Sequence, residues 1–430
     1  MTSTTDNPVL PQDLLDDLEY RGLLFQVTNR ENLSSKLSAE RVVLYCGFDP
    51  TADSLHIGSL LPILTLRRFQ NAGHLPIALV GGGTGLIGDP SGRSTERSLN
   101  GPETVAAWTD SLKRQLSRFL DFDAQPNAAK LVSNYDWLAP LDIIAFLRDV
   151  GKNFTVNYML AKDSVDSRLA QGISFTEFSY MILQSYDFYK LHTDHGCSLQ
   201  IGGSDQWGNI TAGLDLIGKM GGGDAYGLTM PLVTKSDGKK FGKSESGAVW
   251  LDRNKTTAYQ FYQFWINTDD ADVIRFLKYF TFLSRQEIEA LEEELKTNPE
   301  KRAAQKTLAR EVTRLVHGEA AVETAEKVTQ SLFSGDVSQL GEDELAEAIR
   351  DMASATVEDG DDLPLIDLLV ASGLAASKSQ ARKDIESGAV YVNGEKFTGL
   401  DSVVSRGQRL FGKYVILRRG KKNYAGITFQ

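Results

Sequence analysis

Cysteine is scarce: Cys46 and Cys197 are the two thiols in 430 residues. That excludes a disulfide framework and points to a reducing, cytoplasmic compartment. No apolar run approaches the length of a membrane span. The first 17 residues are polar and acidic, without the basic start and apolar stretch of a secretory signal. No long internal repeat or low-complexity tract is present. Positive charge is also in deficit, with 46 Lys and Arg against 57 Asp and Glu. A net charge of −11 argues against non-specific nucleic-acid binding by the chain as a whole.

Charge is unevenly spread, however. From Lys378 to Gln430 there are 11 basic and 4 acidic residues, a net +7, whereas residues 335–362 carry 1 basic and 10 acidic residues, a net −9. This reads as a basic module behind an acidic spacer. Apolar content and length fit a soluble globular protein of about two to four domains.

The chain opens into alternating elements. Val42-Val43-Leu44-Tyr45 reads as a buried strand that leaves into a loop at Gly47, Asp49 and Pro50. Apolar residues at 57, 60, 61, 64 and 69 then follow helical spacing, and Gly73 supplies a stop. Pro62 is tolerated only if it lies in the first turn. Pro76 to Val80 is a second strand, which makes a parallel βαβ unit. Leu199-Gln200-Ile201 repeats the pattern before a helix from about Asp205 to Lys219. The expected fold class is α/β, a doubly wound parallel sheet with ligands at the strand carboxyl ends. Residues 256–330 read as all-helical. The acidic spacer holds one short helix at best, about Glu342 to Met352. The last segment reads as helix, basic helix and a hairpin turned at Asn393-Gly394.

Two strings carry chemistry. Pro50-Thr51-Ala52-Asp53-Ser54-Leu55-His56-Ile57-Gly58-Ser59 reads as a turn feeding a helix N-terminus, where unpaired N–H groups favour an anion. Gly58 leaves no side chain where a base or ribose could approach the backbone. Lys240-Phe241-Gly242-Lys243-Ser244 is a compact basic loop, and Gly238, Gly242, Ser246 and Gly247 suit a mobile flap. Alone, His56 is an ordinary capping imidazole and the loop a solvated basic turn. Together they offer two halves of a triphosphate clamp. Gly83 to Gly88 matches a dinucleotide fingerprint in letters only, because Asp89-Pro90-Ser91-Gly92 breaks the chain where a helix must open.

His56-Ile57-Gly58-Ser59 resembles the HIGH motif of class I aminoacyl-tRNA synthetases, and the loop at 240–244 resembles their KMSKS motif. Leu44 to Pro50, Gly85 to Gly92, Phe178-Ser179-Tyr180 and Gly202 to Trp207 resemble the bacterial tyrosyl-tRNA synthetase family, and the C-terminal segment looks like an S4 RNA-binding module. The resemblance covers residues from about Leu10 to Gln430. It implies a Rossmann-like catalytic domain over 1–235, a KMSKS-type loop and α-helical anticodon-side domain over 236–335, an acidic linker over 336–362 and a small α+β S4-like domain over 363–430.

The activity so implied is a tyrosine–tRNA ligase that takes L-tyrosine, ATP with Mg²⁺, and tRNA(Tyr), works as a homodimer, and has no tightly bound cofactor or dedicated metal cage. A carboxylate attacks the ATP α-phosphate, so positioning and charge stabilisation suffice without a general base. By resemblance, His56, Thr51, Lys240 and Lys243 act on the triphosphate, with Arg93 and Arg97 as further candidates. Tyr45 and Asp187 would read the phenol. Tyr180, Gln184 and Asp187 recur at helical spacing, and Tyr180, Gln184 and Asp89 would hold the ammonium group. Gln206 would take the carboxylate and Asp205 a ribose hydroxyl. Gly47, Asp49, Gly58 and Ser244 join the ATP set, and Lys378, Arg382 and Lys383 the RNA set. Ser59 replaces the second His of HIGH, which removes a possible cation. Phe241 and Gly242 replace the Met and first Ser of KMSKS. The alternatives are a tryptophanyl enzyme, a nucleotidyltransferase with another acceptor, and a non-catalytic RNA-binding protein.

Overall fold

In a computed structural model of the chain, residues 14–430 are described apart from 93–94, 96–98, 170–171, 237–240, 245–246, 335 and 421–422. Six strands form the first sheet: β1 (Gln26–Val27), β2 (Val43–Phe48), β3 (Leu75–Val80), β4 (Lys130–Ser133), β5 (Cys197–Gly203) and β6 (Tyr226–Met230). Their spatial order is β1-β6-β5-β2-β3-β4. All pairings are parallel except β1 with β6. The chain winds from β2 towards β3 and β4, and later from β5 towards β6. The winding therefore reverses between β2 and β5, and their carboxyl ends flank a crevice where ligands bind in such sheets. The doubly wound sheet matches the expectation. The two-residue antiparallel β1 does not appear in it, because so short a strand has no periodicity.

The turn at Ile57–Ser59 leads into the helix Leu60–Asn71 between β2 and β3. Pro62 falls in its first turn, where its missing N–H has no intrahelical partner to lose. The long helix Phe175–His195 starts on Ser174, whose hydroxyl accepts from the Glu177 N–H, and ends on left-handed Gly196. It packs against the helix Trp207–Lys219 beside the crevice. A two-residue hairpin, β7 (Lys243–Ser244) with β8 (Gly247–Ala248), belongs to the same body.

The molecule divides into two compact units. One takes the chain up to Asp252 together with Asp269–Ala304, and the other takes Arg253–Thr268 with Gln305–Gln430. This division departs from the expected boundaries at 235 and 335. The helices Asp270–Phe280 and Arg285–Thr297 join the sheet unit. The physical reason is a pair of buried guanidiniums. Arg21 donates to the carbonyls of Lys278, Thr281 and Leu283, and Arg68 donates to that of Thr281 at 2.5 Å.

The second unit contains the helices Ala258–Ile266, Ala303–His317 (from Gln305 on), Glu319–Ser334 and Glu342–Arg350. Its main sheet has the order β12-β11-β14-β15-β9, with β9 Ala353–Val357, β11 Val390–Val392, β12 Glu395–Phe397, β14 Tyr414–Arg419 and β15 Asn423–Phe429. Strands β10 (Asp362–Pro364) and β13 (Val403–Ser405) pair separately. The β11–β12 hairpin turns at Asn393 and Gly394, both at positive φ as that turn requires. The acidic stretch expected as a linker is built into this unit. Its helix Glu342–Arg350 buries Leu345, Ala348 and Ile349 in one core with Val328, Leu332 and Ile416, and β9 pairs in parallel with β15. Glu342 and Asp343 face outward while a thin apolar stripe packs inward, so net charge hid the element.

Candidate active site

A cleft of about 340 Å³ lies at the carboxyl ends of β2 and β5, lined by Tyr45 to Asp49 on one side and Gly202, Gly203, Asp205 and Gln206 on the other. At its closed end Tyr45 and Asp187 are both about 1% exposed. The Tyr45 hydroxyl has no hydrogen-bond partner among the described residues. Its ring packs against Phe188 at 5.3 Å. Asp187 accepts from Trp137 Nε1 at 2.7 Å and from Asn134 Nδ2 at 2.8 Å. Burial raises its pKa to about 7, against the pull of those two donors. Burial first, and then the Asp187 charge, holds the Tyr45 phenol well above its ordinary value, so it stays protonated. A buried donor without a partner (Tyr45) and a fixed acceptor (Asp187) together suit a ligand hydroxyl.

One shell further out, carboxylates and amides interlock. Tyr180 donates to Asp49 at 2.7 Å, and Thr84 donates to the other oxygen of Asp49 at 2.7 Å. Asn134 donates to Thr84, which ties this group to Asp187. Gln206 Nε2 donates to Asp89 at 2.8 Å, and Asn209 Nδ2 reaches Gln184, Gln206 and Ser91. Burial raises the Asp205 pKa, with the Asp89 charge adding to it, and the Tyr180 phenol is raised by burial and then by Asp49 and Asp89. The concentrated negative field suits an ammonium group.

The end of the cleft at His56 is built from backbone. His56 Nδ1 accepts from the Gly58 N–H at 3.0 Å, which leaves the proton of a neutral imidazole on Nε2, facing outward as a donor. Desolvation lowers the His56 pKa, so the ring is neutral at physiological pH. A Cβ at Gly58 would lie 2.7 Å from His56 Cε1, so the glycine is needed for this ring position. The later motif runs alongside. Val249 accepts from the Ile57 N–H at 2.9 Å and donates to Gly242 at 3.0 Å, and His56 and Trp250 form an antiparallel bridge. A Cβ on Gly242 would meet Ile57 Cγ1 at 3.3 Å. The two motif segments, far apart in sequence, are therefore adjacent.

Tyr45, Gly47, Asp49, Thr51, His56, Gly58, Asp89, Tyr180, Gln184, Asp187, Asp205 and Gln206 all line the one cleft. Asp49, expected among the ATP ligands, accepts from Tyr180, which was expected at the ammonium group. Lys240, Arg93 and Arg97 lie outside the described residues, as do the side chains of Lys243 and Ser244. Lys378, Arg382 and Lys383 are exposed on the helix Lys378–Glu386 of the second unit, whose Ala381 and Ile385 point inward, and Lys378 pairs with Asp367 at 2.7 Å. Sequence reasoning missed Asn134, Trp137, Thr84 and Asn209. It also missed Gln200, which lines the cleft with a buried, unpartnered Oε1. None of these five sits in a recognisable spacing.

Comparison with known proteins agrees with this geometry. A family model described as tRNA synthetases class I (W and Y) matches residues 37–334. Fold and site thus define a class I aminoacyl-tRNA synthetase catalytic domain. A second model, the tyrosine–tRNA ligase SYY-like C-terminal domain, matches residues 344–427. The chain is 62% identical over 418 residues to the tyrosine–tRNA ligase of Geobacillus kaustophilus, covering 97% of this chain and all of that one. It is 59% identical over 420 residues to tyrosine–tRNA ligase 1 of Bacillus subtilis, with the same coverage. Among solved structures, a C-terminally truncated mitochondrial tyrosyl-tRNA synthetase from Aspergillus nidulans aligns with a TM-score of 0.68 at 32% identity, over 74% of this chain and 94% of that one. A tryptophanyl-tRNA synthetase from Encephalitozoon cuniculi, at 14% identity and TM-score 0.53 over 79% of this chain and 95% of that one, shares the fold alone. The chain belongs to the tyrosine–tRNA ligase family. It activates tyrosine with ATP and transfers it to tRNA.

Proposed function

We propose that tyrosine lies with its phenol between Tyr45 and Asp187, its ammonium group among Tyr180, Gln184, Asp89 and Asp49, and its carboxylate at Gln206. The observation that carries this reading is the unpartnered Tyr45 hydroxyl beside a carboxylate already held by Trp137 and Asn134. Phenylalanine in the same place leaves the Tyr45 hydroxyl unpaired and brings no phenol proton to the buried Asp187, and tyrosyl enzymes are themselves a standard instance of this discrimination. ATP lies over Gly47 and Gly58 with a ribose hydroxyl on Asp205. Thr51, His56 Nε2, Lys240, Lys243 and Ser244 engage the triphosphate, joined by Arg93 and Arg97. A tyrosine carboxylate oxygen attacks the α-phosphorus, and the bond to the bridging oxygen breaks as pyrophosphate leaves with the electron pair. A terminal ribose hydroxyl of tRNA(Tyr) then attacks the carbonyl carbon of the adenylate, the acyl–phosphate bond breaks, and AMP leaves with the electron pair while the hydroxyl proton passes to solvent. The enzyme contributes placement and charge.

Mg²⁺ enters as the ATP chelate. Its ligands come mainly from the triphosphate. The exposed face of the helix Lys378–Glu386 contacts RNA phosphates through Lys378, Arg382 and Lys383. A cytoplasmic setting agrees with two buried, unbridged thiols. A second copy of the chain covers an apolar face: Ile143, Ile144, Leu147, Val156 and Phe175 are 51–78% exposed on elements that share one core. Sedimentation of Phe175→Glu is expected to give monomers where the parent gives dimers. The site assignment is tested by Asp187→Ala, which should abolish tyrosine-dependent ATP–pyrophosphate exchange while ATP still binds. Near-normal exchange would remove Asp187 from the pocket.

A further inference from the structure

We infer that the helix Asp270–Phe280 is a common register for the two nucleotide-binding segments, and that Phe241 is the positioning residue through which it acts. The inference rests on the reading above that Lys243 engages the pyrophosphate. No residue of the helix lines the cleft. It holds both motifs from behind.

At its carboxyl end, the helix is tied to the segment that carries His56. Arg68, on the helix that follows His56-Ile57-Gly58, donates to the Thr281 and Lys278 carbonyls at 2.5 and 3.4 Å, and its guanidinium lies 4.7 Å from the Phe282 ring centre. These are carbonyls that a helix terminus leaves without intrahelical donors. Arg68 is 6% exposed, so the tie is buried and little screened. Toward its amino end, the helix holds the stem that enters the basic loop. Asp272 accepts from the Ser236 N–H and Oγ–H, both at 3.0 Å, and Arg275 donates to the Thr234 carbonyl at 2.6 Å.

Between these ties, Phe276 and Phe280 present one buried face, four residues apart. The Phe241 ring stacks on Phe280 at 5.3 Å and 10°, and meets Phe276 edge-on at 5.1 Å. Both are favourable aromatic geometries. The next residue, Gly242, has φ +86° and lies against Ile57 so closely that a Cβ would crowd Ile57 Cγ1. Beyond it the chain returns through Val249, which is bonded to both Gly242 and Ile57. Lys243 therefore leaves a fixed point, two residues past an aromatic anchor, beside the His56 turn. The class motif has methionine at 241. Here an aromatic ring supplies two directed contacts in place of a flexible thioether.

A group that acts only through placement has a recognisable signature. Errors of about 1 Å cost up to roughly 100-fold in rate without touching ground-state binding of the other substrate. The test is stopped-flow measurement of tyrosyl-adenylate formation in single turnover, with tyrosine affinity measured separately by equilibrium titration. Phe241→Ala and the volume-sparing Phe280→Leu are each expected to slow adenylate formation about 10- to 100-fold with unchanged tyrosine affinity. The double variant should be no slower than the worse single one, because both break the same contact. Phe241→Met should recover most of the rate, which a merely unfolded protein would not allow. Lys243→Ala is the control. A normal rate in Lys243→Ala removes the reading on which the register rests, and the register with it. A slow Lys243→Ala beside normal phenylalanine variants, or additive losses in the double variant, overturns the register alone.

Discussion

In the proposed site, tyrosine recognition turns on Asp187, and its titration is measurable. Burial raises its carboxyl from the ordinary carboxylate range to about 7, with the Asp49 charge adding to the rise and Asn134 and Trp137 opposing it. A tyrosine phenol donates to the ionised form and therefore favours it. Binding should release a proton, and tyrosine affinity should fall up to about tenfold per pH unit below pH 7. Asp187→Asn should flatten this profile and weaken tyrosine binding roughly 10- to 100-fold. Isothermal titration at several pH values in two buffers measures both affinity and proton release. An affinity independent of pH between about 5 and 8 would contradict the assignment. At this scale, Tyr180, Gln184 and Asp187 were legible from the resemblance to the synthetase family, with their intervals of four and three placing them on one helical face, and His56 was legible from its motif. Asn134 and Trp137 were not. They follow β4 in an unremarkable stretch, and only the wound sheet carries them to Asp187.

Among the elements, the acidic helix Glu342–Arg350 works as a structural part. Glu347 Oε1 accepts from the Tyr259 N–H in the first turn of the helix Ala258–Ile266, and Glu347 also pairs with Arg253 at 2.9 Å. Asp351 accepts from Thr257, the N-cap of that same helix. Carboxylates at a helix N-terminus satisfy free donors and oppose its positive end. Glu347→Ala should destabilise the second unit by about 1 to 2 kcal/mol in denaturant melts. Unchanged stability would make the acidic stretch the passive spacer that its charge suggested. Local signals made the signature helix, the strands around it and the Asn393-Gly394 hairpin readable. Strand β9 escaped because its partner β15 lies at the far end of the chain and its own pattern is half exposed. The helical run after residue 256 was also readable, but its partition between units was not. That partition depends on Arg21 and Arg68, and buried arginines carry no periodic signature.

At the scale of the whole molecule, the proposed site and the proposed RNA contacts fall in different units. Tyrosine activation requires residues of the sheet unit, so deleting residues 335–430 should leave pyrophosphate exchange largely intact and depress tRNA charging. Deleting 363–430 instead removes β15 from beside β9 and Ile416 from the core of the acidic helix, so the shorter deletion should give the less soluble protein. Charging by the full chain should weaken steeply with salt if the basic helix contacts phosphates. The claim beneath all of this is that the closed end of the cleft is shaped around one missing hydroxyl. The most direct test is amino-acid-dependent ATP–pyrophosphate exchange across all twenty amino acids, in the parent chain and in Tyr45→Phe. Tyrosine alone should support exchange in the parent, and its advantage over phenylalanine should narrow by about tenfold or more in Tyr45→Phe, where one unpaired group has gone. Equal exchange with phenylalanine in the parent, or an unchanged preference in Tyr45→Phe, would contradict it.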